Sequence, residues 1–95
     1  MLVLIVYDIS DNARRNDLAN YLKAKGFARI QRSAFLGRPP PHVLRDVERA
    51  MQRFVGGGSD VIHEFPIYES AAGQIKWWGR PLAEIGAQRG LLVIY

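Results

Sequence analysis

The 95-residue chain contains no cysteine, so disulfides and thiolate metal centres are both excluded. Its two histidines, His42 and His63, stand far apart without spaced partners, which leaves no zinc site of the usual kind. No long hydrophobic run is present. The opening MLVLIVY stops at Asp8, too short to cross a bilayer, and it has neither the basic flank nor the cleavage site of a signal peptide. Neither an internal repeat nor a low-complexity tract interrupts the chain, and its length fits one domain over residues 1–95, expected in the cytoplasm. GGGS at 56–59 lacks the lysine and the context of a phosphate loop and reads as a linker.

Acidic residues are also scarce where basic ones gather. The chain carries 13 Lys and Arg against 9 Asp and Glu, a net charge of +4. Residues 1–38 hold Arg14, Arg15, Lys23, Lys25, Arg29, Arg32 and Arg38 against Asp8, Asp11 and Asp17. Residues 39–95 hold equal numbers of both signs, so the excess lies wholly in the first two-fifths. That asymmetry points to a polyanion partner, most simply nucleic acid, although a solubilising surface would look the same by charge alone.

What is present is periodic. Residues 2–7 are apolar at both parities, the pattern of a strand covered on both faces. Ser10 or Asp11-Asn12 caps a helix from about 13 to 25, with Leu18, Tyr21, Leu22 and Lys25 inward and Gly26 as its stop. FARIQRSAFLG reads as one strand, with Arg29 and Arg32 on opposite faces. RPPP is a rigid break whose last proline starts a second helix, with Val43, Leu44, Val47, Ala50, Met51 and Phe54 inward and Arg45, Asp46, Glu48, Arg49 and Arg53 outward. DVIHEFPIY is a strand that Pro66 assigns to an edge or a bulge. ESAAG reads as a turn, QIKWW as a short strand and LLVIY at 91–95 as a last apolar strand. Two helices on one face of an antiparallel sheet predict an α+β, ferredoxin-like βαββαβ-type sandwich with an extra C-terminal strand. The second face needs cover, most simply from another copy of the chain, with the C-terminal strand pairing in the partner's sheet.

The stretch VYDISDNARRNDL, residues 6–18, combines a strand-end carboxylate with two arginines that open a helix. Asp8 is either a turn-forming aspartate or a ligand for a hard cation. One carboxylate per chain is a poor metal site, and a two-fold dimer that pairs Asp8 with its symmetry mate supplies a second. Arg14 and Arg15 oppose the helix dipole, a cost that phosphate contact would offset. Arg29 and Arg32 follow the same logic. Phe35 fits core better than a stacking platform, Tyr7 is open between packing and orienting a phosphate, and one of Trp77 and Trp78 is expected to be buried.

YDIS at 7–10, Arg14-Arg15, RIQRSAF at 29–35 with Gly37, and KWWGRP at 76–81 resemble, in order over nearly the whole chain, the small CRISPR-associated spacer-acquisition subunit. This is the second of the two core adaptation proteins, often described as an endoribonuclease. The resemblance implies a ferredoxin-like homodimer that bridges integrase subunits around DNA, with Mg²⁺-dependent phosphodiester cleavage. It places the metal-binding, catalytic aspartate at Asp8, preceded by Tyr7. Basic positions fall at Arg15 and Arg29, and an SxF core at Ser33 and Phe35. Arg14 and Arg32 join these as nucleic-acid contacts. Two positions depart: Asp17 stands where some members are basic, and Leu36 where many are acidic. The resemblance leaves three roles open: a metal-dependent endonuclease on RNA or DNA, a non-catalytic nucleic-acid-binding bridge, and a related toxin-type ribonuclease.

Overall fold

A computed structural model describes residues 1–82 of the chain. The opening strand β1 spans Leu2–Asp8, followed by helix α1 over Asn12–Ala24, strands β2 over Ala28–Gln31 and β3 over Ala34–Gly37, and helix α2 over Pro41–Ala50. A 3-10 turn, Met51–Phe54, extends α2; strand β4, Val61–Ile67, and a one-turn helix α3, Glu69–Ala72, complete the described elements. The sheet order is β2-β3-β1-β4, every neighbouring pair antiparallel. With α1 and α2 on one face this is the expected ferredoxin-like α+β fold.

Local chemistry explains the element boundaries. The Asp11 side chain accepts the Arg14 backbone N–H at 2.8 Å and caps α1. Gly26 sits at φ 93°, the left-handed conformation that ends the helix without a Cβ penalty. Pro41 opens α2, where its missing N–H has no partner to lose. Pro66 lies opposite Val3 on β4, an edge of the described sheet, as proline requires.

Alternation along β1 divides the core. Val3, Ile5 and Tyr7 face the helices and pack with Leu18, Leu22, Phe27, Phe35, Val47 and Phe54. Leu2, Leu4 and Val6 face the other way, opposite Ile67, Phe65 and His63 of β4. The inward residues expected of both helices lie at this core, except Lys25, which caps the end of α1.

Several sequence readings are corrected. FARIQRSAFLG is a β-hairpin, not one strand: the chain turns at Arg32-Ser33, and a register irregularity between Arg29 and Gln31 precedes the turn. The turn was concealed because Arg32 and Ser33 carry no glycine or proline signal. Arg29 and Arg32 therefore do not sit on opposite faces of one strand. ESAAG forms α3 rather than a turn, and QIKWW is not a strand. Instead Ile75 and Trp77 join Ala72 against Leu2, Leu36, Leu4, Ile30 and Ile67, so the chain covers part of its own second sheet face. Trp77 is half-buried and Trp78 exposed. The salt bridge from Arg38 to Glu69, a fork with both bonds at 2.8 Å, fastens α3 to the sheet, and the Met1 amino group adds a 3.3 Å contact to Glu69. The remainder of that face is open and mostly apolar: Phe65 is 47% and Val61 38% exposed, with the exposed His63 between them. The expected LLVIY strand lies outside the described residues.

Candidate functional site

The chain leaves β1 at Asp8 and enters α1 four residues later, while the β2–β3 turn brings Arg32 and Ser33 alongside. Between them lies a cleft of about 490 Å³ lined by Asp8, Ile9, Arg15, Asn16, Arg29, Arg32 and Ser33. Four of the residues singled out by sequence as metal or nucleic-acid ligands, Asp8, Arg15, Arg29 and Arg32, thus share one concavity. Arg14 does not line it.

The cations differ in how they are employed. Arg15 donates to the Ile9 carbonyl at 2.9 Å and to the Asn12 side-chain oxygen, so its fork bridges the β1–α1 loop to the helix start. Those bonds offset the unfavourable placement of a cation in a first turn that holds no acidic residue. Arg29 donates through Nε and Nη2 to the Arg32 carbonyl at 3.0 and 2.7 Å and lies 5.5 Å over the Phe35 ring. It holds the hairpin turn as well as lining the cleft. Arg32 is exposed, and among the described residues its guanidinium has no partner. Both Arg29 and Arg32 face one cleft because the turn folds the strand back on itself.

The supporting residues are fixed from below. Phe35 is fully buried and stacks with Tyr7 at 6.2 Å, which settles it as core. The Tyr7 hydroxyl reaches the Arg32 carbonyl at a long 3.5 Å. Burial pushes the Tyr7 phenol up from its ordinary value, against the opposing pull of Arg29 and Arg15. The Ser33 carbonyl accepts the Tyr7 N–H at 3.0 Å and ties the turn to β1.

Asp8 itself is exposed, and its carboxylate has no hydrogen-bond or ion-pair partner among the described residues. It shares strand parity with Leu4 and Val6, hence with the open sheet face, and stands opposite Val61. No group of three or more metal-ligating side chains occurs among the described residues. Among the described residues the cleft of one chain therefore offers a hard cation one carboxylate, Asp8, which fits Mg²⁺ only where waters, phosphate or a second carboxylate complete the shell.

Three contributors, Asp60, Gly56 and Asn16, were missed in the sequence. Asp60 accepts the Ser10 N–H at 3.0 Å and the Ser10 hydroxyl at 3.1 Å through one oxygen, and the Gly56 N–H at 3.0 Å through the other. These bonds, the Ser10 N–H foremost, hold its carboxyl below the ordinary value and tie the loop after Asp8 to the loop before β4. Gly56, read as linker, is where the Arg14 guanidinium rests, and a Cβ there would collide with it. The signal was the aspartate closing GGGSD just before a strand, an arrangement suited to capturing backbone N–H groups. Asn16 lines the cleft with no signal beyond its neighbour Arg15.

An antiparallel ferredoxin-like sheet with an exposed strand-end carboxylate in an arginine-lined cleft defines a small α+β protein with a cationic concavity at one end of its sheet. The family model for CRISPR associated protein Cas2 matches residues 1–75, and the chain belongs to that family. It is 40% identical over 67 residues to a CRISPR-associated endoribonuclease Cas2 of Pyrobaculum aerophilum, covering 70% of this chain and 74% of that one. It is 42% identical over 67 residues to a Cas1/Cas2 fusion endonuclease of Thermoproteus tenax, covering 70% of this chain but only 25% of the fusion. A crystal structure of a hypothetical protein from Thermus thermophilus superposes with a TM-score of 0.72 at 34% identity, covering 86% of this chain and 94% of the other.

Proposed function

We propose that the chain acts in CRISPR spacer acquisition as a nucleic-acid-binding homodimer that bridges integrase subunits, with Mg²⁺-dependent phosphodiester hydrolysis at Asp8. The observation that carries this reading is the free Asp8 carboxylate in a cleft lined by Arg15, Arg29 and Arg32. Bound Mg²⁺ would supply charge stabilisation for the phosphodiester and an activated water. Asp8 would hold the cation, Arg32 would take a phosphate oxygen through its free fork, and Arg15 and Arg29 would keep the cleft positive while bracing its two walls. Arg14, seated on the neighbouring loop, extends the basic surface along α1.

The homodimer rests on the open apolar face. Phe65 and Val61 are exposed beside Leu4 and Val6, and a second copy docked there would bring its own Asp8 to the same face. The endonuclease names of the relatives support hydrolysis, and the fused Cas1 segment of the Thermoproteus relative supports an integrase partner. No helix among the described residues is long and apolar enough to cross a membrane, in keeping with a cytoplasmic site of action.

One observation favours a second reading, the non-catalytic bridge. Apart from Asp8, the residues lining the cleft include no carboxylate or imidazole to serve as a general base. The two readings part on cellular function. A soluble Asp8→Asn protein that still binds nucleic acid and still supports spacer acquisition with its integrase assigns the bridge as the biological role. Lost acquisition in that same protein assigns catalysis.

A further inference from the structure

A second cationic cluster lies away from the Asp8 cleft, where the end of α1 meets α2. Tyr21, Asp46, Arg49, Ala50 and Arg53 line a groove of about 200 Å³ there. Tyr21 forms its floor. The Tyr21 hydroxyl donates to the Asp46 carbonyl at 3.2 Å, and its ring packs on Phe54 at 5.6 Å, so both helices fix it. Two cations converge on that ring: the Lys25 ammonium stands 5.5 Å and the Arg53 guanidinium 5.8 Å from its centroid. Arg49, one helical turn before Arg53, lines the same groove.

Arg49 and Arg53 line the groove and Lys25 stands beside it, so like charges gather there and repel one another. The acid at hand, Asp46, does not neutralise them: among the described residues it forms no ion pair with Lys25, Arg49 or Arg53. Glu48, the other acid of α2, hydrogen-bonds to Glu64 on the far side of the helix instead. The helix dipole accounts for part of this clustering: Lys25 caps the C-terminal end of α1, Arg49 stands in the last turn of α2 and Arg53 in that of the 3-10 turn. Arg53 also lies over the Tyr21 and Phe54 rings, yet among the described residues neither Arg49 nor Arg53 has an anionic partner, and planar guanidinium groups beside a fixed aromatic ring suit phosphate oxygens.

We infer that this groove is a second phosphate-binding site, which grips the backbone of the same nucleic acid at a distance from the Asp8 cleft. The inference rests on the nucleic-acid-binding reading above. Ten residues of α1 separate Arg15 from Lys25, a rise of about 15 Å, so the two sites engage phosphates several nucleotides apart. The groove fixes the path of the strand over the helical layer, while Arg32 takes the phosphate beside Asp8.

The test is the salt dependence of binding to a duplex DNA and to a single-stranded RNA, each of about 30 nucleotides per strand, for the full chain, an Arg49→Gln/Arg53→Gln variant and an Arg49→Lys/Arg53→Lys variant. The glutamine variant should bind about ten-fold more weakly, and its salt slope should flatten by about 2, one charge per lost phosphate. The lysine variant should keep the slope. An unaltered affinity and slope in the glutamine variant, with the unsubstituted chain binding well, overturn this inference alone and leave the groove to an acidic protein surface. A folded lysine variant that loses as much affinity as the glutamine variant also overturns it. Failure of the unsubstituted chain to bind either probe overturns the nucleic-acid reading together with it.

Discussion

The two faces of β1 differ sharply. On the helix side, Val3, Ile5 and Tyr7 are at most 4% exposed, sealed by two helices. On the other, a one-turn helix with Ile75 and Trp77 covers Leu2, Leu36 and part of Leu4, while Phe65 and Val61 stay in water. The first face is closed by its own chain and carries stability. The second is half-closed, and Asp8 lies at its rim. The side of the sheet that still has apolar surface to bury is thus the side that carries the free carboxylate.

The comparison breaks most visibly at Phe35. Its side chain is fully buried under the helices, so Phe35→Ala should cost about 3–5 kcal/mol, read as a lowered midpoint in urea unfolding. A change of well under 1 kcal/mol would mean that the helix face is not the seat of stability. Phe65→Lys, on the open face, should instead leave the protomer folded and convert the proposed dimer to monomer, measured by sedimentation at micromolar concentration. A dimer that survives this substitution would place the interface elsewhere.

A smaller effect is set by pH. Glu64 points from β4 toward Glu48 of α2; partial desolvation of its carboxyl, then the hydrogen bond and charge of Glu48, raise it from 4.5 to about 7. A raised acid binds its proton more tightly in the folded state, so the helix face should be most stable at low pH and lose stability as pH rises from about 4.5 through 7. Glu64→Gln should flatten that slope between pH 5 and 8 in urea titrations. Glu69 acts oppositely. Its fork from Arg38, aided by the Met1 amino group, lowers its carboxyl to about 2, so the hold on α3 is present above pH 4.5 and fades as pH falls toward 2. Glu69→Ala should expose Trp77, seen as a red-shifted fluorescence spectrum that no longer changes on acidification.

Much of the fold was legible because helix and strand periods are strongly marked. Val43, Val47, Ala50 and Phe54 repeat at helical spacing, and Asp11, Gly26 and Pro41 punctuate as their backbone chemistry requires. The β2–β3 hairpin was not legible. Arg32-Ser33 is an ordinary dipeptide, and the turn is held by side-chain bonds to its Arg32 carbonyl, two from Arg29 within the hairpin and one from the distant Tyr7, which no glycine or proline announces. The same turn creates the cleft, so Arg29 and Arg32 could be named in the sequence but not brought together. Asp60 and Gly56 escaped for a related reason: their partners, Ser10 and Arg14, lie more than forty residues away.

The central claim is that Asp8 holds the divalent cation for phosphodiester cleavage. Asp8→Asn keeps the size and one ligating oxygen but removes the charge that Mg²⁺ needs. The direct measurement is Mg²⁺-dependent cleavage of labelled RNA and DNA by the unsubstituted and Asp8→Asn proteins, with dimerisation and binding followed in the same preparations. The account predicts cleavage by the first, none by the second, and unchanged dimer and affinity in both. Cleavage that persists in repurified Asp8→Asn protein would contradict it.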